Sequence, residues 1–378
     1  MHRGAIAEID LDCISHNLNL IKKITGLPVI AVVKADAYGH GALEVSRRLL
    51  TEGVSYLAVA YLEEGVRLRE GGINAPILAL FERKEFSGLI DYNLIPVVHD
   101  MDMAERLSEE AIKRNVTIDV HVKIDTGMGR LGFKVDKAID EIERIAKLGN
   151  LRVRGIMSHF SEADMADRDY AIMQIQEFIR IRNAINDKSN GILCHIANSA
   201  AVFSMKDSYL DAVRPGLAIY GYSPFPDLRN DTIVNELRPS MTVRTKILTM
   251  RRLSKGTPIS YGRTFITRRD SLIAILPVGY ADGFMRSLSN NADVLIKGKR
   301  ATVVGRVCMD LTMVDVTGIN DVSIGDDVIL MGRQGEEEIT AWELAKRAGT
   351  IPYEITISLG SRSRRVYLYD AKTTKLEQ

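Results

Sequence analysis

Long apolar runs are missing from these 378 residues, and the longest fall far short of a bilayer's thickness, which excludes a transmembrane helix. A charge of one sign is missing too. Lys and Arg together number 50 against 49 Asp and Glu, so no net field recommends nucleic acid or an anionic membrane as a partner. Cysteine is scarce: Cys13, Cys194 and Cys308 are odd in number and far apart, the pattern of reduced thiols filling space rather than of a disulfide framework or a zinc site. Internal repeats and low-complexity tracts are absent. Near the start, Glu8 and Asp10 stand where a secretory leader needs a basic head and an apolar core, so the expected compartment is the cytoplasm.

What is present is an ordinary globular composition, 46% hydrophobic and 26% charged, in a chain longer than one core usually serves. Two domains are expected, residues 1–235 and 236–378, with the first residues able to pair with the second domain. In the first, short β-branched runs (PVIAVV, SYLAVA, APILAL, LIPVVH, TIDVHVKI, LRVRGIMSHF, GILCHIA and LDAVRPGLAIY) alternate with helical patterns such as ALEVSRRLL and MAERLSEEAIKR. Eight such repeats predict a (β/α)8 barrel ahead of an open doubly wound sheet. After residue 235 the runs TVRTKILTMRRL, SLIAILPVGYA, ADVLIKGKRATVVGRVCMDLTMVDV and DDVILMGR follow one another with little helix between them, the texture of a mainly β domain.

In a (β/α)8 barrel the chemistry collects where strands end, because the loops there converge on one mouth. The first run ends at Lys34, the fifth leads into Lys123, Asp125 and Arg130, the sixth ends at His159, the seventh at Asn198 and Ser199, and the eighth at Arg214. A lysine after a strand usually snorkels into solvent, and a lone histidine is usually a satisfied interior residue. Five strands delivering polar groups to one rim is a different matter. A lysine at that lip, desolvated and near two arginines, is driven toward the neutral amine, a nucleophile for carbonyls. The carbonyl belongs either to a substrate, as in an aldolase, or to pyridoxal phosphate. Ser199 and the turn at Gly216 offer hydroxyl and backbone N–H donors for a phosphate, although Gly216 also reads as a plain turn glycine.

The strings AVVKADAYGHG, KIDTGMGRLGF, HIANSAA, RPGLAIYG, SYGRTF, LPVGYADG, RVCMDLTMVDV and IPYEI, in this order from about residue 5 to 367, resemble the bacterial alanine racemases. The resemblance implies pyridoxal 5'-phosphate carried on Lys34. It implies a phosphate cup of Tyr38, Ser199, Tyr353 and the backbone at Gly216 and Leu217. Arg214 would face the pyridine nitrogen, with His159 orienting it, and a permanently cationic guanidinium keeps that nitrogen unprotonated. Lys34 and Tyr261 would be the two acid/base groups on opposite faces of the substrate, which racemisation requires. Arg130, Met309 and Asp310 would hold the substrate carboxylate, with Tyr261, Met309 and Asp310 coming from the second subunit of a homodimer. Lys123 aligns with a lysine often carbamylated to pair with Arg130; an ordinary Lys123, with Asp125 satisfying Arg130, is the alternative.

The implied activity is interconversion of L- and D-alanine for peptidoglycan. A basic amino-acid decarboxylase of the same fold pairs the pyridine nitrogen with a carboxylate, where this chain has Arg214. A non-catalytic pyridoxal-binding protein lacks the second domain. A racemase of serine or ornithine keeps the same core residues and is the nearer alternative. At Arg362, Ser363, Arg364 and Arg365 the chain departs from the family's usual Arg-Val-Pro-Arg string.

Overall fold

A computed structural model describes residues 4–186, 191–225, 233–369 and 373–376. The chain divides into two compact units. One holds residues 14–35 and 42–238, the other 1–13, 36–41 and 239–378.

The first unit is a curled, all-parallel sheet. Its strands Ile30–Val32, Tyr56–Val59, Ile77–Ala79, Ile95–Val98, Ile118–Asp125, Leu151–Met157 and Leu193–His195 pair in chain order. Except in Leu151–Met157, whose Arg152 and Arg154 are exposed, their central residues are fully buried, as expected of strands covered on both faces, and this is why they read as continuous apolar runs rather than alternating ones. Helices including Ala42–Thr51, Met101–Lys113 and Asp169–Asn186 return the chain between them. The run LDAVRPGLAIY does not form the full eighth strand its sequence suggests. It contributes one parallel bridge, Val29 to Val213, and then turns into a short 3-10 helix, Leu217–Tyr220. Pro215 has no N–H to continue a ladder, which limits the strand to its first residues. The barrel closes nonetheless. The Arg214 N–H donates to the Ala197 carbonyl (2.8 Å) on one side, and the Ile30 and Val32 N–H groups donate to the carbonyls of Val213 (2.9 Å) and Pro215 (3.1 Å) on the other.

The second unit is mainly β. Its large sheet runs through Thr249–Leu253, Ser271–Leu276, Thr312–Asp315, Lys299–Val303, Asp293–Ile296, Asp327–Gln334 and Met241–Lys246. It continues through Ile6–Asp10, which lies antiparallel to Met241–Lys246 and parallel to Arg364–Tyr369, and ends on Thr373–Leu376, antiparallel to Arg364–Tyr369.

Directly after Lys34 the backbone makes a left-handed turn. Ala35, Asp36, Ala37 and Tyr38 all have φ between 51° and 55°. None is glycine, and left-handed helical geometry costs an L-residue roughly 1–2 kcal/mol. The second unit holds this turn in place. Arg365 pairs with Asp36 at 2.5 Å and its Nε donates to the Gly39 carbonyl at 3.0 Å. The Gly41 N–H donates to the Asp36 carbonyl at 2.9 Å, and a Cβ at Gly41 would overlap the Tyr367 hydroxyl. The basic segment at 362–365 therefore has a role here. Arg365 braces the turn, while Arg362 Nε donates to the Ala281 carbonyl at 2.7 Å.

Candidate active site

Each strand of the barrel unit ends on a polar or aromatic group at the same mouth, because parallel strands in register finish together. Lys34 follows the first strand. Burial lowers the pKa of its amine, with Arg130 and then Arg214 acting in the same sense and Glu64 opposing them. Its Nζ lies 5.3 Å from the centroid of the Phe81 ring, and the Arg130 guanidinium lies 5.9 Å from the same ring, so Phe81 carries two cations on its face. Lys123, in the fifth strand, is 2% exposed, and its pKa falls to about 7 through burial and then the Arg214 and Arg130 charges. Asp125 does not satisfy Arg130. Its Oδ1 accepts the N–H groups of Gly127 and Gly129, both at 3.0 Å, and so shapes the loop that carries Arg130.

Arg214 is 4% exposed and donates in two directions. Nη2 reaches the Ser158 carbonyl (2.6 Å) and His159 Nδ1 (3.2 Å); Nη1 reaches His195 Nδ1 at 2.6 Å. A guanidinium only donates, so both histidines accept at Nδ1 and carry their proton on Nε2. The His195 Nε2–H then donates to His121 Nδ1 at 3.0 Å. His121 fits because its neighbour across the strands is Gly155, where a Cβ would strike the imidazole. His195 and His121 escaped the sequence reading. Their only trace there was a histidine inside each of two apolar strands, and the partners stand 74 positions apart.

These histidines are neutral in the fold. Burial, reinforced by Arg214, puts the pKa of His121 at about 3 and those of His159 and His195 well below 6.5. In the other unit, burial brings His40 to about 4. The unfolded chain takes up these protons below pH 6.5 and the folded chain does not. Stability is therefore full above pH 6.5 and falls as the pH drops, by about 1.4 kcal/mol per unit for each histidine. We expect the thermal midpoint to decline steeply between pH 6.5 and 4.5, and a flat midpoint over that window would contradict the neutral state of these histidines in the fold.

Ser199 begins the helix Ser199–Ser204, and Asn198 caps it by accepting the Ala201 N–H at 3.0 Å. The Ser199 Oγ accepts the N–H groups of Gly216 (2.9 Å) and Ala218 (3.2 Å), leaving its own proton to donate. Hydroxyl and backbone donors thus converge at one strand end, the chemistry that suits a phosphate. Leu217 lies between those two donors and is buried.

In the second unit Tyr38 and Tyr353 lie together, ring centroids 5.8 Å apart. Separately, Tyr261, Met309 and Asp310 line one cavity of about 620 Å³ with Ser260, Cys308 and Leu311. Tyr261 is 70% exposed and Met309 54%. Both are held out by rigid turns. Ser260 (φ 64°) is pinned by its Oγ donating to the Arg306 carbonyl at 2.7 Å, and the Cys308 and Met309 carbonyls accept the Tyr280 and Ala281 N–H groups, both at 3.0 Å.

Residues 9–224 match the family model described as alanine racemase, N-terminal domain, and residues 240–367 match alanine racemase, C-terminal domain. The alanine racemase of Thermodesulfovibrio yellowstonii is 50% identical over 375 residues, 98% of this chain and 99% of its own. The solved structure of an alanine racemase from Clostridium difficile superposes with a TM-score of 0.91 at 36% identity, covering 100% of this chain and 99% of that one. That of the Bartonella henselae alanine racemase, with covalently bound pyridoxal phosphate, gives 0.86 at 30% identity, covering 97% and 100%.

Proposed function

This chain belongs to the alanine racemase family, and from that premise we propose, residue by residue, how it interconverts L- and D-alanine. It is an isomerase that uses pyridoxal 5'-phosphate. Serine or ornithine as the principal substrate, and a binding protein without activity, find no support among these relatives. The observation that carries the assignment of roles is Arg214, buried, cationic and clamped between two neutral histidines, in the same mouth as the depressed amine of Lys34.

The residues present fit the cofactor. Lys34 supplies an amine driven toward its nucleophilic form. Ser199 with the backbone at Gly216 and Leu217 supplies phosphate donors, and the resemblance adds Tyr38 and Tyr353. Pyridoxal phosphate, when bound, draws electrons from the substrate's Cα and so makes its proton removable. Arg214 would be the residue facing the ring nitrogen, where a cation that does not release its proton would keep that nitrogen unprotonated. His159 and His195 hold the guanidinium in one orientation. Lys34 holds or removes the Cα proton on one face and Tyr261 on the other. Arg130, Met309 and Asp310 position the substrate carboxylate.

In this reading residues 1–235 hold most of the cofactor site, and 236–378 add Tyr353 to it and carry Tyr261 and Met309. Exposed apolar groups lining the same cavity as Tyr261, namely Met309 and Leu311, support a homodimer in which these residues serve the partner's site. The enzyme works in the cytoplasm, and its D-alanine enters peptidoglycan. A panel of L-amino acids assayed for D-product tests the function: D-alanine should form fastest, serine more slowly, and a preference for any bulkier residue would overturn it.

Lys123 is carbamylated in this proposal. An amine with a pKa of about 7 is largely neutral above that pH and reacts with carbon dioxide, and the resulting carboxylate suits the two arginines that depress it. Labelled bicarbonate should give a carbamate carbon resonance that strengthens from pH 6 to 8 and vanishes in Lys123→Arg.

A further inference from the structure

Beside the reactive lysine stands a carboxylate with an unusual pair of partners. Glu64 sits on the helix Leu62–Glu70, which follows the second barrel strand. Its Oε1 accepts the N–H of Ala35, the residue after Lys34, at 2.7 Å, and its Oε2 accepts the N–H of Ala60, at the end of the neighbouring strand, at 2.6 Å. These are short, charge-assisted bonds. They tie two adjacent strand ends together at the point where the chain leaves Lys34 for its left-handed turn. Ala35 is the first residue of that turn, so its N–H marks where regular barrel geometry stops.

Glu64 is also the acid among the groups acting on Lys34. Arg130 and Arg214 lower the pKa of the amine and Glu64 raises it, while His159, which also senses Lys34, is neutral. We propose that Glu64 is a positioning residue for the cofactor lysine: one carboxylate fixes the backbone on which Lys34 stands and supplies the counter-charge that balances the arginines around its amine. This rests on Lys34 being the residue that carries the cofactor. It assigns to Glu64 no contact with substrate or cofactor.

The two duties separate in two variants. Glu64→Gln keeps the length of the side chain but removes the charge and turns one acceptor into a donor facing an N–H. Glu64→Asp keeps the charge but is too short to span both N–H groups. The first readout is the pH midpoint for acylation of Lys34 by an amine-reactive ester in the full chain without cofactor, followed on the Lys34 peptide by mass spectrometry. The second is the affinity for pyridoxal phosphate, and the third is the site to which borohydride fixes it.

In Glu64→Gln the midpoint should fall by about one pH unit, since the charged amine loses its counter-charge. Cofactor affinity should fall roughly tenfold as the clamp fails. In Glu64→Asp the midpoint should move less and the affinity should still fall. A folded Glu64→Gln with midpoint and affinity unchanged overturns the proposal. If Glu64→Gln does not fold, a Glu64→Asp protein with unchanged affinity overturns it instead. Borohydride fixing the cofactor elsewhere than Lys34 in the unsubstituted chain would refute the assignment of Lys34 itself, an outcome distinct from either.

Discussion

Lys34→Ala is expected to abolish racemisation, by more than about 10⁴-fold, because the proposed mechanism gives this one side chain two tasks, holding the cofactor and moving the Cα proton. The visible absorbance of the bound cofactor should disappear with it. The serious rival is Lys123, the second depressed amine of the same mouth, with a pKa of about 7. Burial separates the two. Lys123 is 2% exposed and sits within its strand, whereas Lys34 stands half-buried at a strand end with its amine over Phe81. Borohydride treatment of the unsubstituted protein should therefore leave the reduced cofactor on the Lys34 peptide. An adduct on Lys123, or a Lys34→Ala protein that stays yellow and active, refutes the assignment.

The second large effect is a recovery. Lys34→Ala and Tyr261→Phe are each expected to be nearly inactive, and mixing them by joint denaturation and refolding should restore activity. Random pairing of two-fold dimers makes about half of them mixed, and a mixed dimer with shared sites has one site with both residues intact, so about a quarter of all sites recover. The motive is the exposure of Tyr261, 70%, on a rigid turn beside the also exposed Met309. A phenol acting as an acid or base in contact with water on most of its surface is poorly tuned for that work, and a partner covering it removes the difficulty. If Lys34 and Tyr261 met within one chain, every site in the mixture would keep one defect. Activity would then stay at the level of the two variants measured separately.

Both experiments start from residues legible without coordinates. Lys34, Lys123, His159, Ser199 and Arg214 stand at or near the ends of apolar runs, and in a parallel barrel those ends share one rim, so periodicity alone places them together. Tyr261 and Met309 carry no such signal, since a tyrosine or methionine near a strand is usually packing; the motif resemblance singled them out. The left-handed turn was not legible at all. The stretch Ala35–Tyr38 contains no glycine or asparagine to announce positive φ, and its conformation follows from bonds to Arg365 and within the turn that reach far beyond local preference.

By itself, then, the order of apolar runs determined the barrel and the later β unit, and the residues closing those runs determined which side chains meet at the mouth, because strand direction and side-chain alternation are local properties. Tertiary structure alone decided the state and partners of those side chains. The tautomer of His195 depends on which nitrogen faces Arg214, and that of His121 on the proton His195 donates to it. The depression of Lys34 and Lys123 depends on burial among arginines from other strands. Asp125 turns to its own loop rather than to Arg130, and Glu64 reaches back 29 positions to Ala35. Hydrogen-bond direction and desolvation act over a few ångströms in space, and no pattern along the chain records those distances.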